Sequence, residues 1–137
     1  MINAYYFYKF SNQMYRLKIP ILPRIIQFFC FLIFNSATPY QCSIGKRTRF
    51  AYGGIGVVIH KRAVIGSNTV IGSNVTIGGR SKYFEVPKIG NNVYIATGAK
   101  ILGPIVIGND VIIGANAVII DNVPDKSTVV GVPGRII

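Results

Sequence analysis

The chain has 137 residues, enough for one domain, and half of them are hydrophobic while only 14% are charged. Its formal charge of +11 sets 15 Lys and Arg against four acids (Glu85, Asp110, Asp121, Asp125), which favours anionic partners such as phosphorylated small molecules, acidic glycans or a membrane face. The cations are scattered from Lys9 to Arg135 with no recognition helix or RNA-binding signature, which argues against nucleic acid, and two cysteines, Cys30 and Cys42, make no disulfide framework.

Residues 1–40 are aromatic-rich and lack Gly. Asn3 is placed to cap a helix running through Tyr5-Tyr6-Phe7-Tyr8 toward Leu17. Pro20 and Pro23 interrupt it, and a second helix is expected from near Arg24 to Asn35. Two roles stand side by side for this segment. It can cap the open end of whatever follows, or attach to an anionic membrane through its aromatics and Lys9, Arg16, Lys18 and Arg24. The longest apolar run, Ile25 to Phe34, is too short to span a bilayer, and no stretch has the pattern of a signal peptide. With Cys30 read as a buried thiol, a cytoplasmic chain is expected, at most held at the inner face of the membrane.

From Ile59 an aliphatic residue returns every six positions: Ile59, Ile65, Ile71, Ile77, then Ile89, Ile95, Ile101, Ile107, Ile113 and Ile119. Helices repeat near 3.6 residues and half-buried strands at 2, so the period marks a solenoid of hexapeptides. Four positions beyond each aliphatic stands a small or β-branched residue, such as Ala63, Val75 or Ala99, and between them lie Gly, Ser, Asn and Asp. Those turn residues tolerate positive φ or bond locally to the backbone, which lets the chain round a corner. Each hexad is then one face of a triangular coil with its isoleucines stacked down the core, an all-β solenoid over residues 41–137 behind a helical cap over 1–40. The length allows about five coils.

Two places break the rhythm. Coils begin near Ile44-Gly45, and the register slips by one across Ala51 to Gly56. Residues 78–88 span two hexads without the pattern and read as a loop thrown out of the prism. Departures from a rigid repeat are where function tends to sit. The last segment, Pro124 to Ile137, closes the solenoid.

Several blocks together resemble the hexapeptide acyltransferases, most closely their serine acetyltransferase-like branch. They are Val75-Thr76-Ile77-Gly78-Gly79, Pro87-Lys88-Ile89-Gly90, Gly98-Ala99-Lys100-Ile101-Leu102-Gly103 and the terminal Val130-Gly131-Val132-Pro133-Gly134-Arg135-Ile136-Ile137. Lys18 to Pro23 is also similar to members of that branch serving surface-polysaccharide synthesis. The resemblance implies a left-handed β-helix, a homotrimer, and acetyl-CoA lying in the groove between neighbouring prisms, with no metal. It implies a His that acts as general base on the acceptor hydroxyl, with backbone amides stabilising the oxyanion. Matching blocks put Gly78, Gly79, Ala96, Gly98, Ala99 and Lys100 along the cofactor path, although any β-helix wants small residues at its turns.

At the catalytic positions the chain departs from that family. One family His falls on Tyr52, or on Gly53 when counted back from Val57-Val58-Ile59, and the other falls on Val86, preceded by Glu85. The only His is His60. It is the candidate base, with Glu85 as a second base or an orienting carboxylate across a subunit interface, and Tyr52 as a positioning hydroxyl. The bland readings are a surface His, a solvated loop charge and a packed ring.

The expected function is acetyl transfer from acetyl-CoA to a hydroxyl, with a sugar of capsule or lipopolysaccharide assembly as acceptor. Serine acetylation is the alternative; the two missing histidines and the short segment before the repeats count against it. A non-catalytic scaffold is a third reading. A zinc enzyme needs about three ligating histidines, which a single His supplies only if subunits share a site.

Overall fold

The computed structural model describes residues 1–137 throughout. Helix α1 (Ala4–Arg16) starts where the Asn3 side chain accepts the Tyr5 N–H at 2.9 Å, as its sequence position predicts. Helix α2 (Leu22–Phe34) starts two residues before the expected Arg24, because Pro23 lies in its first turn, where a missing N–H costs nothing. The break between the helices therefore sits at residues 17–21, where Lys18 and Ile21 take left-handed φ of 58° and 70°. Asn35, also left-handed at φ 51°, ends α2.

The rest is a left-handed parallel β-helix of about four turns. One face carries the strands Val58–Ile59, Thr76–Gly78, Lys100–Leu102 and Val118–Ile119. The second carries Ser43–Ile44, Val64–Ile65, Lys88–Ile89 and Val106–Ile107. The third carries Arg49–Phe50, Val70–Ile71, Tyr94–Ile95, Ile112–Ile113 and Thr128–Val130. Registers match isoleucine to isoleucine, Ile77 over Ile59 and under Ile101, Ile89 over Ile65 and under Ile107. All ten six-residue isoleucines are at most 3% exposed, and the small residues four positions on are buried too.

The corners turn as the composition predicts. Asn68, Asn74, Asn92, Asp110 and Asn116 all stand at φ between 56° and 58°. The glycine that precedes several of them has another reason. A Cβ on Gly66 would overlap the Gly90 carbonyl of the next coil, so coils stack at backbone contact there.

Pairing begins ahead of Ile44, since Ala37 bridges Val58. The slip across residues 51–56 is three residues, not one. Thr48 and Thr69 meet across coils at a separation of 21, whereas Asn91 and Asn109 meet at 18. The extra residues form a tight turn, Ala51–Gly54, with Tyr52 and Gly53 at left-handed φ, whose glycines carry no apolar side chain to mark the register. The excursion adds six, with Ser67 meeting Asn91 at a separation of 24. The carboxy-terminal segment ends in an antiparallel strand, Arg135–Ile136, against Thr128–Val130.

The helices share one core with the solenoid, through Ala4, Tyr8, Cys30 and Phe34. Helix α1 seats on the first coil: the Asn3 amide donates to Phe50 O at 2.8 Å, and Tyr5 meets the Phe50 ring edge-on at 5.6 Å. The buried Tyr8 hydroxyl donates to Cys42 O at 2.7 Å. Tyr8→Phe is expected to lower unfolding free energy by about 1–3 kcal/mol, because that carbonyl loses its partner in a dry site. Urea denaturation of Tyr8→Phe beside Tyr5→Phe checks this; equal midpoints for the two would overturn it.

Candidate functional site

Each coil turns from the first face to the second through one corner, and His60 stands on it. Its N–H donates to Ile77 O at 2.8 Å and its carbonyl accepts the Ala63 N–H at 2.9 Å, so the backbone is held on both sides. The half-buried imidazole projects from the corner. Its Nδ1 accepts the Arg62 N–H at 3.1 Å, which in the neutral ring leaves the proton on Nε2. Partial burial, then the nearby Arg62 and Lys61 charges, lower its pKa from the ordinary 6.5. The ring is therefore neutral at pH 7.

One coil on, the same corner carries Gly78 and Gly79 and throws out residues 79–87. A Cβ built on Gly79 would lie 4.0 Å from His60 Cδ2 and 3.9 Å from Val86 Cγ1, so these three residues enclose one small space. The loop is braced from below. The Arg62 guanidinium lies 3.9 Å over the Phe84 ring and donates to Phe84 O, and Arg80 faces the Tyr83 ring at 5.6 Å. Val86 is buried at the loop's return.

The glycines separate into two kinds. Gly98 holds φ 79°, and a Cβ there would overlap the Asn116 amide, so turn geometry alone explains it. At Gly78 and Gly79 a Cβ would meet only ordinary contacts, 3.7 Å or more, with no positive φ. The fold does not demand glycine at either. The Gly79 N–H has no hydrogen-bond partner in the chain, and the residue is exposed next to His60.

The other candidates lie elsewhere. Tyr52 sits in the Ala51–Gly54 turn at φ 53°, its ring exposed, at the opposite end of the Val58–Ile59 strand from His60. Ala96, Gly98 and Ala99 occupy that same opposite corner two coils further on. Ala99 is wholly buried, its N–H donating to Ala96 O and its carbonyl accepting the Thr76 N–H, so it offers no group to a ligand. Lys100 lies beside them, its Nζ donating to Asn74 O at 2.7 Å. Glu85 is exposed on the excursion, and no hydrogen bond joins it to His60. The structure thus brings together His60, Gly78, Gly79 and the loop of Glu85, and keeps Tyr52, Ala96, Gly98, Ala99 and Lys100 as a second group.

Sequence reasoning missed Arg62 and Arg80 as the braces of the loop. Their partners, Phe84 and Tyr83, belong to the segment that broke the repeat, and that was the available signal. Around this corner stand Lys61, Arg62, Arg80 and Lys82, a cationic rim suited to phosphate groups. Burial raises the Cys30 thiol to about 11 and the Cys42 thiol to about 12, so neither supplies a thiolate at neutral pH. No group of three or more His, Cys, Asp or Glu stands together to hold a metal ion.

A family model described as bacterial transferase hexapeptide (six repeats) matches residues 87–121. Solved structures match over almost the whole chain. Soybean serine acetyltransferase, as apoenzyme, superposes with a TM-score of 0.90 at 34% identity, covering 98% of this chain and 56% of that one. The Brucella abortus serine acetyltransferase gives 0.92 at 32%, covering 98% and 55%. A serine acetyltransferase in complex with CoA gives 0.87 at 31%, again covering 98% and 55%. The chain spans about half the length of these structures. No curated protein matches the sequence. The repeat, the family model and the end-to-end likeness above 30% identity make the chain a member of the hexapeptide-repeat transferases, on their serine acetyltransferase-like branch.

Proposed function

We propose that this chain carries the transfer site of an acetyl-CoA-dependent O-acetyltransferase. The observation that carries this is the pairing of His60, neutral at pH 7, with the free N–H of a glycine that the fold does not require. In the reaction His60 first releases the Arg62 amide and carries its proton on Nδ1, and the acceptor hydroxyl then gives its proton to the bare Nε2 as its oxygen attacks the thioester carbonyl. The Gly79 N–H donates to the oxyanion that forms. Collapse breaks the C–S bond, and the proton passes from His60 to the departing CoA sulfur. Lys61, Arg62, Arg80 and Lys82 are the cations nearest to hand for the CoA phosphates. A homotrimer supplies what one chain separates, setting the Tyr52 and Lys100 group of one subunit against the His60 corner of the next.

The likeness supports serine as acceptor better than the sugar expected from the sequence, since soybean serine acetyltransferase, similar at 34% identity, is solved in complex with serine. A sugar hydroxyl remains the second reading, favoured by Tyr52 and Val86 at the two positions where the branch carries histidines. Thiol release from acetyl-CoA, measured with L-serine and with a panel of sugars and lipid-linked glycans, separates the two. Release with neither, together with no rise in melting temperature on adding acetyl-CoA, would leave a scaffold.

Gly79 gives a sharper test. Gly79→Ala is expected to leave the urea midpoint unchanged and to lower kcat/KM about 10- to 100-fold, because the methyl enters the space beside His60. Gly66→Ala should do the reverse, destabilising the fold by overlap with Gly90 O. Full activity in Gly79→Ala would show that the reacting acetyl group does not use the space beside His60.

A further inference from the structure

Helix α2 presents an apolar face that nothing in the chain covers. Pro23, Cys30 and Phe34 point into the core, while Ile25, Phe28, Phe29, Phe31, Leu32 and Ile33 are each 45% exposed or more. Tyr6 and Phe10 of α1 continue the patch across a groove floored by Phe7 and Ile26. An exposed apolar area of this extent marks a surface that meets something.

The charge pattern says what it meets. Residues 1–40, which carry the helices, hold four Lys and Arg and no acid, and the first acid of the chain is Glu85, so no counter-charge lies in or near the helices in sequence. Where α1 ends and α2 begins, Arg16, Lys18 and Arg24 line a hollow of about 690 Å³ together with Tyr15 and Tyr40. No carboxylate stands within either helix to neutralise them. Packing α2 against a second copy would gather these cations from both chains with no counter-charge. An anionic bilayer supplies the counter-charge and the apolar medium together.

We propose that α1 and α2 dock the chain on an anionic lipid bilayer, with the exposed face of α2 lying in the interface plane and Arg16, Lys18 and Arg24 against lipid phosphates. Neither helix is long and apolar enough to cross a membrane, so the contact is peripheral. Helix α1 packs on the turn that carries Tyr52, which places the first coil next to the surface. The inference concerns residues 1–40 and stands whether or not the transfer reaction does.

The test is partition of the full chain onto vesicles of phosphatidylcholine alone and of phosphatidylcholine with phosphatidylglycerol, at about 0.1 M and about 0.5 M NaCl. Binding to the anionic vesicles, weakened by salt, is expected. A triple Arg16→Gln, Lys18→Gln, Arg24→Gln variant should lose about 100-fold in partition coefficient, near fivefold per cation. A Phe29→Ser, Leu32→Ser variant should lose at least about tenfold at either salt, since it removes two buried side chains from the contact. Both sets of positions are exposed, so melting temperatures should match the parent chain. Absence of binding overturns the proposal, as does equal binding to neutral vesicles. So does a change of association state in Phe29→Ser, Leu32→Ser without lipid while vesicle partition holds, for that outcome makes the face an interface between copies.

Discussion

His60→Ala is expected to lower kcat for acetyl transfer by about 10²- to 10⁴-fold, the range that a positioned general base supplies. The melting temperature and the affinity for acetyl-CoA should stay near those of the parent chain. The imidazole makes one hydrogen bond within the protein, from the Arg62 N–H at a half-exposed corner, and fills no core space. His60→Gln distinguishes two roles for the ring. Glutamine keeps an N–H near the position of Nε2 but cannot take a proton. If His60 is the base, Gln should be as inactive as Ala; if His60 only donates to the substrate, Gln should retain most of the rate. The tautomer implied by the Arg62 hydrogen bond makes this comparison informative, because Nε2 must be free of its proton to accept one. The ring must therefore release the Arg62 amide, losing an exposed hydrogen bond worth about 0.5–1.5 kcal/mol. That cost is small beside the several kcal/mol that proton transfer contributes.

The pH profile carries the same assignment. Burial and the adjacent Arg62 and Lys61 charges lower the His60 pKa, so protonation of the base sets in below the ordinary 6.5. The acid limb of kcat/KM should therefore fall below pH 6.5, with full activity retained at and above neutral pH. His60→Gln should abolish the limb along with the rate. An acid limb that persists unchanged in a residually active His60 variant would assign it to another group.

The fold was legible because one observable, an isoleucine every sixth residue, recurs ten times and coincides with the buried column. What the count could not see were segments without apolar markers. Ala51 to Gly56 hides a three-residue insertion among glycines, and a single visible slip was the most that the pattern offered. The Arg135–Ile136 strand runs antiparallel, outside the repeat, so its direction had no periodic signature. Proline placement misled by two residues at α2, because Pro23 is tolerated in a first turn. The site was half legible. His60 stood out as the only histidine and the excursion as the break in rhythm, but their adjacency depends on a stacking of coils that brings residue 60 beside 79. The sequence named His60 and Tyr52 as partners in one site, although the strand between them sends each to a different corner. The same hexad pattern that proposed Ala99 for the cofactor path marks it as inward-facing, and it is buried.

Ile101→Ala should lower the unfolding free energy by about 2–5 kcal/mol, the cost of emptying a filled core site that cannot collapse. Ile101 has no exposed surface and is held between Ile77 below and Ile119 above on the same face. Parallel strands fix the heights of these neighbours through their ladders, so they cannot close on the gap as loosely packed side chains might. Stability in a stacked repeat is a sum of coil and interface contributions, and a cavity here weakens two interfaces at once. Ile101→Val removes one methyl and should cost about 0.5–1.5 kcal/mol. Val106→Ala, on the outward side of its strand and 52% exposed, should stay within about 0.5 kcal/mol. Urea denaturation reads all three as midpoint shifts with an unchanged slope. If Ile101→Ala shifted no more than Val106→Ala, the isoleucine column would not be what holds the coils together. The effect should reach the site too. Ile101 pairs with Ile77, one residue before Gly78, so loosening that rung lets the loop corner move against His60 and lowers kcat/KM even at temperatures where the fold persists.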